Sequence, residues 1–156
     1  MNRGAVTNLL ATLFVCGVAA PAFPAGDLTR QEPIEMRVQL GTSDGAHVFE
    51  PNSLTFETGK LYKLVLTNPS PNKHYFTSPG FASKVFTRKV EVIHEGRRLA
   101  EIKGMIREIE VFPGGTAEWW FVPVSSGRLT DLHCGVKDEE GRTHAEHGMI
   151  GTIEIK

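Results

Sequence analysis

Apolar and polar residues alternate with a period of two along much of the chain. Ile34, Met36, Val38 and Leu40 are separated by polar side chains, the pattern of a strand with one buried face. Leu61 to Thr67 (LYKLVLT) repeats it, as do Ile106 to Phe112, Thr116 to Val122, Leu129 to Cys134 and the closing stretch Met149 to Lys156. Gly41 to Gly45, Gly59-Lys60, Asn68 to Asn72 (NPSPN) and Pro113-Gly114-Gly115 separate these runs and read as turns. Phe49-Glu50-Pro51 and Leu54-Thr55-Phe56 read as short edge segments, because Pro51 has no N–H for a central ladder. His74, Tyr75 and Phe76 resume extended structure. Residues 79–90 place Phe81, Val85 and Phe86 near helical spacing and predict a short helix. Residues 90–93 and 99–102 flank Glu95-Gly96-Arg97 as a hairpin.

Short strands, Gly/Pro turns and little helix predict an all-β fold, a Greek-key β-sandwich with a short helix and hairpin insertion around 79–104. The chain has 156 residues, 40% of them hydrophobic and 22% charged, which suits one domain with its own core. We assign that domain to residues 34–156, with 23–33 as a lead. Residues 1–22 are set apart. Arg3 precedes the apolar run 9–20 (LLATLFVCGVAA), and Ala20-Pro21-Ala22 fits a small-residue cleavage site; this is the layout of a secretory signal, cut after Ala22 or after Ala25. The run is shorter than the roughly 20 residues that span a bilayer. The expected location is periplasmic or secreted.

Cleavage changes the cysteine count. Of Cys16 and Cys134 only Cys134 survives, so no internal disulfide is available, and a lone thiol in an oxidising compartment wants an occupant such as a metal. The formal net charge is −1, which does not point to nucleic acid. Residues 79–107 carry seven basic side chains against Glu91, Glu95 and Glu101. That stretch is a solvated face or, more sharply, a docking surface for an acidic redox partner.

The densest group of candidate metal donors is His133, Cys134, His144, His147 and Met149. Cys134 ends one expected strand and Met149 begins the next, so the loop between them brings both to one pole. A thiolate, imidazoles and a thioether make the donor set of a copper electron-transfer site, trigonal His₂Cys with a weak axial Met. Calcium and magnesium want oxygen donors, and zinc sites do not use a thioether. His133 adjoins Cys134 on a strand and points to the opposite face. One imidazole has to come from outside the loop. His47 and His94, beside turns, read as exposed; of Trp119 and Trp120, one reads as core and the other as partly exposed.

Here the sequence resembles the cupredoxin family of plastocyanin- and azurin-like type 1 copper proteins. The matching stretches are Leu54-Thr55-Phe56 with Gly59-Lys60, Leu64 to Asn68 running into His74 and Phe76, Ser126-Gly127 leading to Cys134, then His144 and Gly148-Met149-Ile150-Gly151-Thr152-Ile153. The resemblance implies one copper ion held by His74, Cys134, His144 and Met149, with His147 as the alternative to His144, and with His144 as the more exposed ligand. The nine residues between Cys134 and His144 exceed the plastocyanin-like and azurin-like loops, while copper nitrite reductases have a longer gap.

The implied function is one-electron transport between redox partners such as a cytochrome or an oxidase, with contact to a membrane only through a partner. The alternative is a periplasmic copper-binding protein for copper tolerance or delivery, working with a copper-handling protein. A structural zinc site or a metal-free interaction domain ranks behind these. No catalytic layout is evident in the sequence, and the expectation is that the chain is not an enzyme.

Overall fold

The computed structural model describes residues 31–156; the signal-segment reading falls outside them. Eleven strands and one turn of helix follow in order: β1 Ile34–Leu40, β2 Phe49–Glu50, β3 Ser53–Phe56, β4 Tyr62–Thr67, β5 His74–Thr77, α1 Pro79–Ala82, β6 Val85–His94, β7 Arg97–Ile102, β8 Glu108–Val111, β9 Thr116–Pro123, β10 Gly127–His133 and β11 Ile150–Ile155. They form two facing sheets, β2-β1-β4-β9-β6-β7 and β3-β11-β10-β5-β8. β1 runs parallel to β4 and β3 parallel to β11, and the other pairs are antiparallel. The Pro51 argument holds, since β2 and β3 are each the outermost strand of a sheet.

The core is the inner face of both sheets. Leu64 and Leu66 of β4, Trp119 and Phe121 of β9, Phe76 of β5 and Ile153 of β11 are all buried. At its centre Phe121 meets Phe56, Tyr62, Phe81 and Trp119, with ring centroids 5.1–5.8 Å apart. Trp119 faces inward and Trp120 faces out between Lys63 and Lys89, as alternation on one strand requires.

The predicted helix is mostly strand. Ser78 caps a single turn, its Oγ accepting the Phe81 N–H at 3.3 Å, with Pro79 at the first helical position. From Val85 the chain is extended, because β6 has partners on both sides, β9 and β7; ladder pairing outweighs a weak helical period. The hairpin itself stands: Glu95 and Gly96 adopt φ of 50° and 72°, the left-handed pair that matches strand twist in a two-residue turn. Its basic residues are partly neutralised, Lys89 and Arg98 on Glu91 and Lys103 on Glu101.

Phe121→Ala should lower unfolding free energy by about 3–5 kcal/mol, read as a lower urea midpoint at unchanged slope.

Candidate metal centre

Three strand ends meet at one pole of the sandwich. Residue 74 opens β5 and is delivered by the NPSPN turn, which Asn68 clamps from inside. The Asn68 side-chain amide donates to the carbonyls of Asn72 and Val111 at 2.8 Å each, and its Oδ1 accepts the Ser70 N–H at 2.9 Å. The adjacent strand β10 stops at His133, where it pairs with Thr77 of β5. One residue further on, the Tyr75 N–H donates to Cys134 Sγ at 3.2 Å.

The nine-residue loop is itself folded. Lys137 and Thr143 form a bridge, the Asp138 N–H donates to the Arg142 carbonyl at 2.8 Å, and the His144 N–H donates to the Val136 carbonyl at 2.7 Å. His144 is thereby brought back beside Cys134. A tight turn follows, in which the Met149 N–H reaches the His144 carbonyl at 2.9 Å and the Met149 carbonyl accepts the Cys134 N–H at 3.2 Å.

The side chains converge. His74 Nδ1 lies 3.8 Å and His144 Nδ1 3.5 Å from Cys134 Sγ, and the two Nδ1 atoms lie 3.1 Å apart. Nitrogen and sulfur donors bind a first-row metal ion at about 2.0–2.3 Å, so two donors sharing an ion stand about 3–4 Å apart. All three separations meet that requirement, and the donor set fits a trigonal copper site. His74 and Cys134 are 0% exposed and His144 is 3% exposed. Burial, then neighbouring imidazoles, push His74 and His144 down to about 4, so both rings are neutral, the form that binds metal. Burial pushes the Cys134 thiol up, partly offset by hydrogen bonds from the Tyr75 and Val136 amides. Those same amides would serve a metal-bound thiolate, whose deprotonation an ion promotes.

Met149 is 0% exposed at this pole, tied through its backbone to Cys134 and His144. His147 is turned away: its Nε2 pairs with Asp138 Oδ2 at 2.6 Å. His133 also turns away, its Nδ1 2.7 Å from the Asp131 carbonyl. His144, at 3% exposure against 0% for His74, Cys134 and Met149, is the more exposed ligand as expected, though all four are buried. One reading needs correction: His47 is only partly exposed and is not a solvated surface residue. The His47 ring stacks on His144, with centroids 3.7 Å apart and planes 17° apart, and His47, His74 and His144 form one close group. The cause lies in the topology. Because β1 and β4 run parallel, the loops that follow them emerge at the same pole, a juxtaposition that alternation along one strand does not reveal.

No protein-family model and no curated protein matches the chain. Solved structures do. A copper-containing nitrite reductase from Thermus scotoductus SA-01 has TM-score 0.58 and 13% identity, covering 87% of this chain and 34% of that one. A laccase from Pediococcus acidilactici Pa5930 has TM-score 0.55 and 13% identity, covering 87% and 29%. A multicopper oxidase from Campylobacter jejuni has TM-score 0.53 and 18% identity, covering 81% and 31%. The chain thus spans about a third of the length of each. This likeness establishes the fold alone: two facing sheets, the cupredoxin fold. It also corrects the expectation of a non-enzymatic chain. All three matched proteins are enzymes by their titles, so the fold offers no ground for excluding catalysis.

Gly41 backs His74. A Cβ there would lie 2.5 Å from His74 Nε2 and 2.8 Å from Ser70 Cβ, at a φ of +71°. Gly41→Ala should cost about 1–3 kcal/mol by urea denaturation and weaken metal uptake by displacing the ring. In the metal-free protein, acid should destabilise through the same histidines. Their folded pKa values near 4 lie below the ordinary 6.5. The unfolded chain therefore binds more protons between those limits, and stability falls as pH drops from about 6.5 towards 4. Urea midpoints across that range should decline, less steeply in His74→Gln and His144→Gln.

Proposed function

We propose that this chain is an exported type 1 copper protein. It holds one copper ion through His74, Cys134, His144 and Met149 and carries single electrons between redox partners. The observation that carries the reading is the buried triangle of His74 Nδ1, His144 Nδ1 and Cys134 Sγ, 3.1–3.8 Å on a side. Copper bound there would supply a one-electron couple.

The chain's own contribution is to keep the donors fixed. His74 and Cys134 are anchored to neighbouring strands, and His144 is tied by its backbone to the folded loop at Val136 and to Met149. The amide of Tyr75 reaches the sulfur at 3.2 Å, and hydrogen bonding around that sulfur is one of the controls on reduction potential. Burial keeps the imidazoles unprotonated and excludes water. The buried thioether side chain of Met149 favours copper over zinc. Export accords with the apolar N-terminal run and with a lone mature thiol occupied by metal.

The alternative, copper capture for tolerance or delivery, calls for donors a partner can reach. With His74, Cys134 and His144 nearly inaccessible, the geometry favours an ion that is held over one that is handed on. A cytochrome or an oxidase is the partner class in view.

Addition of copper(II) to the purified mature chain should produce an intense thiolate-to-copper absorption band and a matching EPR signal. Both should be absent from Cys134→Ala. A wild-type protein that binds copper(II) without that band would remove the type 1 reading. Loss of the ion to a chelator during each redox cycle would move delivery ahead of electron transport.

A further inference from the structure

His47 has no part in the donor triangle, yet it is the ring that covers it. The loop after β1 holds it in place: the Gly41 N–H donates to the Val48 carbonyl at 2.8 Å, and the Ala46 N–H donates to Thr42 Oγ1 at 2.9 Å. His47 is partly exposed, whereas His144 beneath it is 3% exposed. An imidazole lone pair lies in the plane of its ring. Two rings stacked 3.7 Å apart and 17° from parallel cannot both aim lone pairs at one ion between them. Stacking therefore argues against His47 as a further ligand in this arrangement and makes it a cover.

The cover has a brace. His147 stands 5.5 Å from His47, centroid to centroid. Its Nε2 is held by Asp138 Oδ2 at 2.6 Å, and Asp138 belongs to the folded nine-residue loop.

We infer that His47 is a positioning residue that acts as a lid. Stacked on His144 and braced by His147 and Asp138, it keeps water, small anions and chelators away from the centre. Its role towards copper rests on the proposed copper binding; the shielding of His144 does not. Small neutral electrophiles and small anions are the probes suited to such a lid.

The test separates the two. In metal-free protein, carbethoxylation of His144 by diethyl pyrocarbonate is followed by peptide mass spectrometry, with exposed His94 as internal reference. His47→Ala should raise the His144 rate by roughly tenfold or more, as expected when a protected group becomes open to solvent. His47→Phe, which keeps a flat ring on the stack, should stay near the wild-type rate. Asp138→Asn, which leaves both stacked rings in place and loosens the brace, should give an intermediate rate and serves if His47→Ala does not fold. In copper-loaded protein, azide should perturb the absorption of His47→Ala and leave wild type and His47→Phe unchanged. Unchanged His144 protection in both His47→Ala and Asp138→Asn would overturn the lid. So would a His47→Phe variant as open as His47→Ala. A wild type that takes up no copper would defeat the copper reading alone, because the carbethoxylation result still decides the shielding.

Discussion

Everything at the metal pole turns on one hydrogen bond, from the Tyr75 amide to the Cys134 sulfur at 3.2 Å. Strands β5 and β10 are paired at Thr77 and His133, and an ordinary ladder would continue through carbonyls. Here the chain leaves β10 at Cys134, and a side-chain sulfur takes the next position. The substitution fixes Cys134 Sγ against the first residues of β5, so the sulfur and His74 are set by the same strand pair. It also gives the sulfur a donor. A buried thiol without one would hold its proton more tightly, since burial alone already raises it.

The surrounding sandwich matters to the site chiefly as a source of stiffness. Aromatic rings of both sheets interlock around Phe121, and close-packed interiors resist small displacements. Donors carried on the ends of such strands keep their spacing, whereas donors on a free loop would not. His144 is the donor most at risk, since it lies beyond the sheets. Its position is recovered by local structure: the Lys137–Thr143 bridge, the Val136 carbonyl and the tight turn into Met149. Loop length is thus offset by loop folding.

The parts of this arrangement visible in the sequence are those that depend on one strand at a time. Alternation located β4, β9, β10 and β11, and Pro51 marked an edge. The donor types in the last third of the chain, with the spacing of His144 and Met149, pointed to a single pole. The features that stayed hidden depend on what lies beside a strand. Residues 85–90 carry a weak helical period, but β9 and β7 on either side make them strand. His47 sits among turn residues and looks solvated until the parallel pairing of β1 with β4 places its loop over His144. His147 and His144 are both plausible donors by spacing, and only the carboxylate of Asp138 shows why one turns outward.

Closure of the site shapes what it can do. Neutral, desolvated imidazoles and a sulfur held by an amide donor suit an ion that stays in place while its charge changes, because little around it has to reorganise. The same closure limits exchange of the ion and access of any small reactant. Electrons do not need an open path to the donors; they need a short one, and His47 lies in van der Waals stacking distance of His144 while reaching the surface itself. A chain that must release its metal is better served by an open coordination position. The stacked pair therefore defines a closed site on physical grounds that are independent of fold, and the fold, shared here with much larger enzymes, does not by itself assign a role.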